Sequence, residues 1–445
     1  MRSCILIGLM MSLSLILNGQ QKNPNIIFIL TDDLGYYDVS FTGAQDVQSP
    51  NIDKLAREGL VFTNFYANST VCSPSRAAFL TGRFPDLVGV PGVIRQKQDD
   101  SYGFLSPSAI TLADRLTYGG YHTALIGKWH LGHVSPNLPN ERGFHYFKGF
   151  LGGMVDDYWG HLRMGVNWMR ENETHINPEG HCTDLITDWT IDYIKQREKM
   201  QNPFFLYLAY NAPHSPIQPP PEYLEKVMKR EKGISEKRAK LVALVEHLDD
   251  GIGKVLNQLK ESGFEENTIV VFTSDNGGSL YYGSDNGPYR GGKSDMYEGG
   301  IKVPLAVKWP AKIKAGAQTD KLGILMDFYP TLCELANVPI NHEIDGISLS
   351  PILEGKELNT EDRILHWMRK EGKAYGGRTY YASRYKGMKV LQNNTTSPME
   401  YYNILKDQAE KSPLDQDNKL YKLIFKAQHD HILESGKVIW KDPRE

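Results

Sequence analysis

Cysteine is scarce in this chain, four in 445 residues, too few for a disulfide framework. Cys4 falls in an apolar N-terminal segment, which leaves Cys72, Cys182 and Cys333. A Cys182–Cys333 pair and two separate buried thiols are both compatible with the sequence, and in either case Cys72 stands alone. An excess of charge of one sign is also missing. Fifty basic and 53 acidic residues leave a net charge of -3, so there is no global basic field for nucleic acid, and an anionic ligand must be caught locally. Nor is there a membrane-length apolar run. The one apolar stretch, Ile5–Leu17 behind Arg2, is too short to span a bilayer and reads as an export signal over residues 1–20. Leu17 is a poor fit to the cleavage rule, and no cysteine follows to carry a lipid anchor. The chain is therefore expected in the periplasm or secreted. Internal repeats and low-complexity segments are absent as well.

What is present is a series of short, continuously apolar, β-rich runs separated by helical or loop segments. The runs are Asn25–Leu30, Thr123–Ile126, Pro203–Ala209 and Thr268–Phe272, with Val303–Lys308 a further candidate. Continuous rather than alternating hydrophobicity marks strands buried on both faces, as in a parallel sheet covered by helices. Helical patterns fit Asn51–Glu58, Ala109–Leu116, Thr183–Lys199, Arg238–Ser262 and Asp327–Ala336. The reading is an α/β fold with a large, mostly parallel sheet over residues 24–350. A small C-terminal α+β subdomain over 351–445 follows, with strands at Thr379–Ser383 and Gly387–Leu391 and a helix near Leu420–Leu433.

Ligand sites in open α/β sheets gather at the carboxyl ends of the strands. Four runs lead directly into chemically capable residues: Thr31, Asp32 and Asp33; Lys128, Trp129 and His130; Asn211 and His214; and Ser274, Asp275 and Asn276. Asp32, Asp33, Asp275 and Asn276 make a hard, all-oxygen set suited to calcium or magnesium. Taken singly, Asp32-Asp33 also reads as a helix cap and Asp275-Asn276-Gly277-Gly278 as a turn. Cys72-Ser73-Pro74-Ser75-Arg76 precedes an apolar stretch. Pro74 suits a first helical turn and Ser73 its cap, so Cys72 is either at a helix N-terminus that favours an anion or a small buried residue before a helix.

Cys72-Ser73-Pro74-Ser75-Arg76 with Leu80-Thr81-Gly82-Arg83 resembles the signature of type I sulfatases, members of the alkaline phosphatase superfamily in which the cysteine is oxidised to formylglycine (3-oxoalanine). Asp32-Asp33, Gly127-Lys128-Trp129-His130-Leu131-Gly132, Ala212-Pro213-His214, Asp275-Asn276-Gly277 and Gly292-Lys293 with Glu298-Gly299-Gly300 resemble the family's other blocks, in the same order. The resemblance implies a sulfatase whose Cys72 must first be matured by a partner enzyme. It implies a divalent ion, usually calcium, held by Asp32, Asp33, Asp275, Asn276 and the modified Cys72. A hydrated aldehyde at position 72 would attack sulfur with Asp275 as base, and Arg76 would hold the hydrate. Lys128 and Lys293 would hold sulfate oxygens, His214 or Lys293 would protonate the leaving alcohol, and His130 would help to expel sulfate.

Substrate is less legible. Gly152–Arg170 is rich in polar and aromatic groups, among which Asp157, His161 and Arg163, together with Arg95, are candidates to bind a sulfated sugar or to pack a surface loop. An exported chain with this signature resembles sulfatases acting on polysaccharides, so a sulfated glycan is the expected substrate. Two rival readings are a phosphodiester or phosphonate ester hydrolase of the same superfamily and a non-catalytic carbohydrate-binding relative.

Overall fold

The apolar run near the N-terminus forms the Asn25–Thr31 strand, which lies between the Phe204–Ala209 and Thr268–Ser274 strands and is parallel to both. This arrangement comes from a computed structural model that describes residues 23–97 and 100–438. The export-signal reading of residues 1–20 lies outside them. His122–Lys128 adds in parallel beyond Phe204–Ala209, and Tyr146–Phe150 adds in parallel beyond that. Five strands therefore end on one edge of the sheet.

Alternate side chains of each strand feed two different cores. Ile26, Phe28 and Leu30 enter one cluster, with Phe79, Leu112, Phe328 and Leu332. Ile27 and Ile29 enter the other, with Ile186, Ile194, Leu244 and Leu248. Helices Cys72–Thr81, Leu112–Tyr118 and Phe328–Leu335 cover the first face, and Cys182–Arg197 and Glu236–Glu261 the second. This two-sided burial is why the strands read as unbroken apolar runs. Cys182 and Cys333 are unpaired and belong to these opposite cores, so the sheet separates them.

The sheet is larger and more mixed than the apolar runs alone convey. It has ten strands, in the order Ala317–Thr319, Leu60–Phe62, Leu305–Lys308, Thr268–Ser274, Asn25–Thr31, Phe204–Ala209, His122–Lys128, Tyr146–Phe150, Met169–Glu171 and Thr174–His175. Leu305–Lys308 runs antiparallel to Thr268–Ser274, and Met169–Glu171 antiparallel to Tyr146–Phe150. The flanking strands have two to five residues, too few to establish a period in the sequence.

Helix ends also shift for local reasons. The expected start at Ala109 moves to Leu112 because Thr111 and Asp114 form a capping box, in which the Thr111 hydroxyl accepts from the Asp114 amide at 3.0 Å and the Asp114 carboxylate accepts from the Thr111 amide at 2.8 Å. Ser73 is not a cap either. Val71 occupies that position, and the Ser73 hydroxyl accepts from the Ile94 amide at 3.0 Å.

Toward the C-terminus a four-stranded antiparallel sheet runs Leu365–Lys370, Thr379–Tyr385, Met388–Gln392, Glu400–Asn403, with the Lys419–Ser435 helix beside it. Trp367 and Leu365 share a core with Tyr66, Phe84 and Ile301, and the Trp367 indole donates to the Ala67 carbonyl at 2.7 Å. Among the described residues no helix is long and apolar enough to cross a membrane.

Candidate active site

Asp32 and Asp33 follow directly on the central strand, Lys128 closes its own strand with His130 two residues beyond, and Asp275 and Asn276 follow Ser274. Because these strands are parallel, the side chains meet on one edge. Turning them inward requires unusual backbone. Asp33 and His130 adopt φ of 64° and 59°, a left-handed conformation uncommon outside glycine. Gly127 has φ 111°, and a Cβ there would stand 1.9 Å from the Ala209 carbonyl oxygen, so the residue before Lys128 has no room for a side chain.

Three carboxylates and three cations interlock around this edge. Arg76, one helical turn beyond Cys72 and fully buried, places Nε and Nη2 at 2.9 and 2.7 Å from Asp275 Oδ2. Its Nη2 also lies 3.8 Å from Asp32 Oδ1, and its Nη1 donates to the Lys128 carbonyl and the Tyr207 hydroxyl, both at 3.3 Å. Lys128 Nζ donates to Asp32 Oδ2 at 2.6 Å, with both side chains fully enclosed. Lys293 Nζ donates to Asp33 Oδ2 at 2.7 Å, and Asn276 Nδ2 donates to Asp33 Oδ1 at 2.8 Å. Burial raises Asp33, but Lys293 and His214 outweigh it and hold the carboxyl well below the usual range. Burial and then Asp32 push Asp275 up to about 6, against the pull of Arg76 and Lys128.

Donor chemistry at this edge fits a hard divalent cation. Asp32 Oδ1 and Asn276 Oδ1 are buried acceptors without a hydrogen-bond partner, which ordinarily demands one. One ligand-type atom from each of Asp32, Asp33, Cys72 and His214 lies within 4.8 Å of the others. Burial raises the Cys72 thiol, yet Lys128 and Lys293 bring it down to about 6, so this pocket favours negative charge at position 72.

The two histidines differ in state. His130 places Nε2 2.9 Å from the Ile94 carbonyl, which fixes the proton on that nitrogen and leaves the buried Nδ1 without a partner. Burial, reinforced by Lys128 and Arg76, holds its pKa well down, so it is a neutral base. His214 places Nδ1 2.7 Å from the Ser215 carbonyl, and its Nε2 is 3.0 Å from Lys293 Nζ and 3.5 Å from Asp33 Oδ2. Burial and Lys293 lower His214, but Asp33 and Asp32 more than offset them and raise its pKa. One histidine is thus disposed to accept a proton and the other to give one.

A cavity of about 350 Å³ opens over Cys72, His130, His214 and Lys293. Arg95 and Arg163 line it, each already in an ion pair: Arg95 with Glu371 at 3.1 Å, and Arg163 with Asp156. Asp157 and His161 are outside its lining. The Asp157 carboxylate closes its own turn, accepting from the Trp159 and Gly160 amides, and from Gln218 Nε2 at 3.0 Å. His161 Nε2 is spent on the Gly180 carbonyl at 2.9 Å. Both serve the loop rather than the cavity, because short polar side chains satisfy nearby backbone groups first. Lys97, His133, Arg369 and Tyr375 line the cavity unforeseen. His133 lies three residues beyond His130, a signal the sequence offered; Arg369 and Tyr375 come from the C-terminal sheet region, with no local motif to reveal them.

Comparison with known proteins gives the same direction. Residues 24–338 match the Sulfatase family, and residues 292–436 match the family described as N-sulphoglucosamine sulphohydrolase, C-terminal. The chain is 33% identical over 373 residues to N-acetylgalactosamine-6-sulfatase of Canis lupus familiaris, covering 79% of this chain and 69% of that one. It is 34% identical over 362 residues to arylsulfatase A of Homo sapiens, covering 75% and 68% respectively. The crystal structure of Ps i-CgsB in complex with k-i-k-neocarrahexaose is similar at a TM-score of 0.85 and 29% identity, over 95% of this chain and 96% of that one. The chain belongs to the sulfatase family of the alkaline phosphatase superfamily, the sulfuric ester hydrolases.

Proposed function

We propose that this protein removes sulfate from a sulfated carbohydrate, using Cys72 matured to formylglycine and a divalent cation, calcium or alternatively magnesium, held by Asp32, Asp33, Asp275 and Asn276. The observation that carries this reading is the buried cage around Cys72, in which two histidines of opposite disposition and the charges of two lysines surround the residue while Asp32 Oδ1 and Asn276 Oδ1 lack hydrogen-bond partners. The cation would supply Lewis-acid polarisation, and the aldehyde, once hydrated, would supply an oxygen nucleophile, in place of a thiol, and a second hydroxyl.

The chain's own groups do the rest. Lys128 and Lys293 hold the sulfate oxygens, and Arg76 fixes Asp275 against the site, where its carboxylate takes up the proton of the attacking group. His214 Nε2 gives a proton to the departing sugar oxygen, and His130 Nδ1 removes the one whose loss frees sulfate. Arg95, Lys97, Arg163 and Arg369 on the cavity wall, with Tyr375, suit an anionic sugar ring. A volume of about 350 Å³ is at the small end of ligand pockets, which fits one or two sugar units better than a polymer groove. The names of the relatives, an N-acetylgalactosamine-6-sulfatase and a structure holding a neocarrahexaose, agree with a carbohydrate ester. We further assign residues 24–350 to the catalytic unit and 351–445 to a subdomain that completes the cavity wall. Residues 1–20 act as the export signal, and a maturing enzyme acts on Cys72.

The test is the mass of the peptide carrying residue 72, in protein from its native host, together with sulfate release from an aryl sulfate and from defined sulfated oligosaccharides. A peptide lighter than the cysteine form by about the mass of one water, with chelator-sensitive sulfate release, is the expected result. Faster hydrolysis of a phosphodiester than of any sulfate ester would move the protein to the rival chemistry. Glycan binding without turnover by matured protein would make it a binding relative.

A further inference from the structure

A second cavity, about 850 Å³, shares no lining residue with the one over Cys72. Its walls include Tyr66, Tyr289, Glu298 and Lys302 from the main unit and Arg384 from the C-terminal sheet. Lys302 is only 7% exposed, yet among the described residues its ammonium makes no hydrogen bond or ion pair. It faces aromatic rings instead, 4.7 Å from the Tyr289 centroid, 5.6 Å from Tyr66 and 6.0 Å from Tyr36. Arg384, 1% exposed, lies over the same Tyr66 ring at 5.0 Å. Its guanidinium makes two long hydrogen bonds, 3.4 Å to Asn64 Oδ1 and 3.3 Å to Glu361 Oε1, and its buried Nε has no partner.

Apart from Glu361, which pairs with Arg384 through one oxygen and keeps the other buried without a partner, the nearby negative charge is committed elsewhere. Glu298 accepts from the Tyr66 hydroxyl at 2.6 Å through one oxygen and from Lys389 Nζ at 2.9 Å through the other, and Lys389 also pairs with Glu410 at 2.9 Å. Asp320 and Glu357 at the mouth are exposed, and Glu357 is paired with Lys321. Burial, opposed by Glu298 and reinforced by Arg384 and Lys389, brings Lys302 down to about 8, the mark of an ammonium short of counter-charge. Buried charges are ordinarily paired, and ring faces offset only part of the loss of water. Here two buried cations share one tyrosine and one wall of a cavity: Arg384 has a single long ion pair, with Glu361, and Lys302 has Glu298 nearby but no ion pair of its own among the described residues.

We infer that this second cavity binds an oxyanion, a sulfate group either free or carried on a saccharide, with Lys302 and Arg384 as its counter-charges and the Tyr66 and Tyr289 rings beside its carrier. The site is separate from Cys72, and its occupancy does not depend on turnover there. It gives a sulfatase a place to hold either released sulfate or a second sulfated unit of a glycan.

Calorimetric titration of the full, metal-saturated protein tests this, with sodium sulfate and with glucosamine 6-sulfate as ligands and sodium chloride at matched ionic strength as control. Wild type is expected to take up one more sulfate per chain than Lys302→Met, and Lys302→Arg, which keeps the charge, is expected to restore it. Circular dichroism and thermal unfolding confirm that each variant is folded. Lysine reductive methylation read by peptide mass supplies a measurement without a substitution. Ligand is expected to lower modification at Lys302 at least fivefold, while Lys422, exposed on the Lys419–Ser435 helix and outside the cavity lining, is unchanged. An extra site filled by the amino sugar sulfate and not by free sulfate identifies the glycan as the source; an extra site filled by inorganic sulfate identifies released product. Equal uptake by wild type and Lys302→Met for both ligands, with no protection at Lys302, would overturn the inference.

Discussion

Lys128 and Asp32 form a fully enclosed ion pair within a group of three carboxylates, and that crowding decides what each substitution does. Removing one partner of a buried pair leaves an uncompensated charge, so Lys128→Met should cost about 3–5 kcal/mol of stability in chelator-treated protein. A divalent cation bound by Asp32 replaces the missing charge, so calcium should recover much of that loss. Urea unfolding of wild type and variant, with calcium and with chelator, measures the effect; an equal penalty in both conditions would argue against Asp32 as a metal ligand. His130 is open to a gentler perturbation through its neighbour. A Cβ at position 153 would fall 2.3 Å from His130 Nε2, so Gly153→Ala must displace the ring from the Ile94 carbonyl. The expected outcome is a kcat lower by about 100-fold, the scale of a misplaced acid or base, with an unchanged far-UV spectrum and bound metal. Activity within twofold of wild type would remove His130 from the proton path.

At the scale of elements, the Lys419–Ser435 helix docks through a histidine pair. His366 and His431 stack at 4.4 Å with their planes 7° apart, Phe84 packs on both, and His431 Nε2 lies 2.9 Å from Asp86 Oδ2. Burial, then the neighbouring His431, holds His366 well below the ordinary imidazole value. The folded state therefore resists a proton that the unfolded state accepts. Stability from this group is full above pH 6.5 and falls on acidification at about 1.4 kcal/mol per unit below it, until the folded pKa is reached. His366→Phe, with Ser383→Ala to remove the hydroxyl that His366 Nδ1 engages at 2.8 Å, should flatten this slope. Melting midpoints at pH 7.5 and 5.0 provide the check, and identical slopes in wild type and double variant would show that the pair carries no acid sensitivity. The same elements show how far the sequence was legible. The buried strands and the long amphipathic helices were, because burial on two faces and a period near 3.6 leave patterns over many residues. The Leu60–Phe62 and Ala317–Thr319 strands were not, since three residues set no period. Direction was equally hidden for Leu305–Lys308, whose apolar run is the same whether it pairs parallel or antiparallel.

Across the whole molecule, the candidate site divides along the same line. Asp32, Asp33, Lys128, His130, His214, Asp275 and Asn276 could be read together because each follows an apolar strand, and parallel strands bring such ends to one edge. Asp157 and His161 could not be judged, because turn-closing and ligand-binding polar residues look alike in sequence. Arg369 and Tyr375 reach the cavity only because the C-terminal sheet packs its Trp367 and Leu365 into the main unit. Arg369 donates to the Ser294 carbonyl at 2.9 Å, beside Lys293, and pairs with Glu371 at 2.7 Å, while Arg95 grips the other Glu371 oxygen. This Arg–Glu–Arg group carries net positive charge at the wall, where sugar rather than the scissile sulfate would lie. Arg369→Ala should therefore raise KM for a sulfated oligosaccharide about tenfold, near 1.4 kcal/mol, and change aryl sulfate kinetics less than twofold. Arg369→Lys, which keeps charge without the planar fork, should recover only part of the glycan affinity. If both substrates lose kcat equally, Arg369 acts through Ser294 on the position of Lys293, and the C-terminal sheet contributes scaffold rather than recognition.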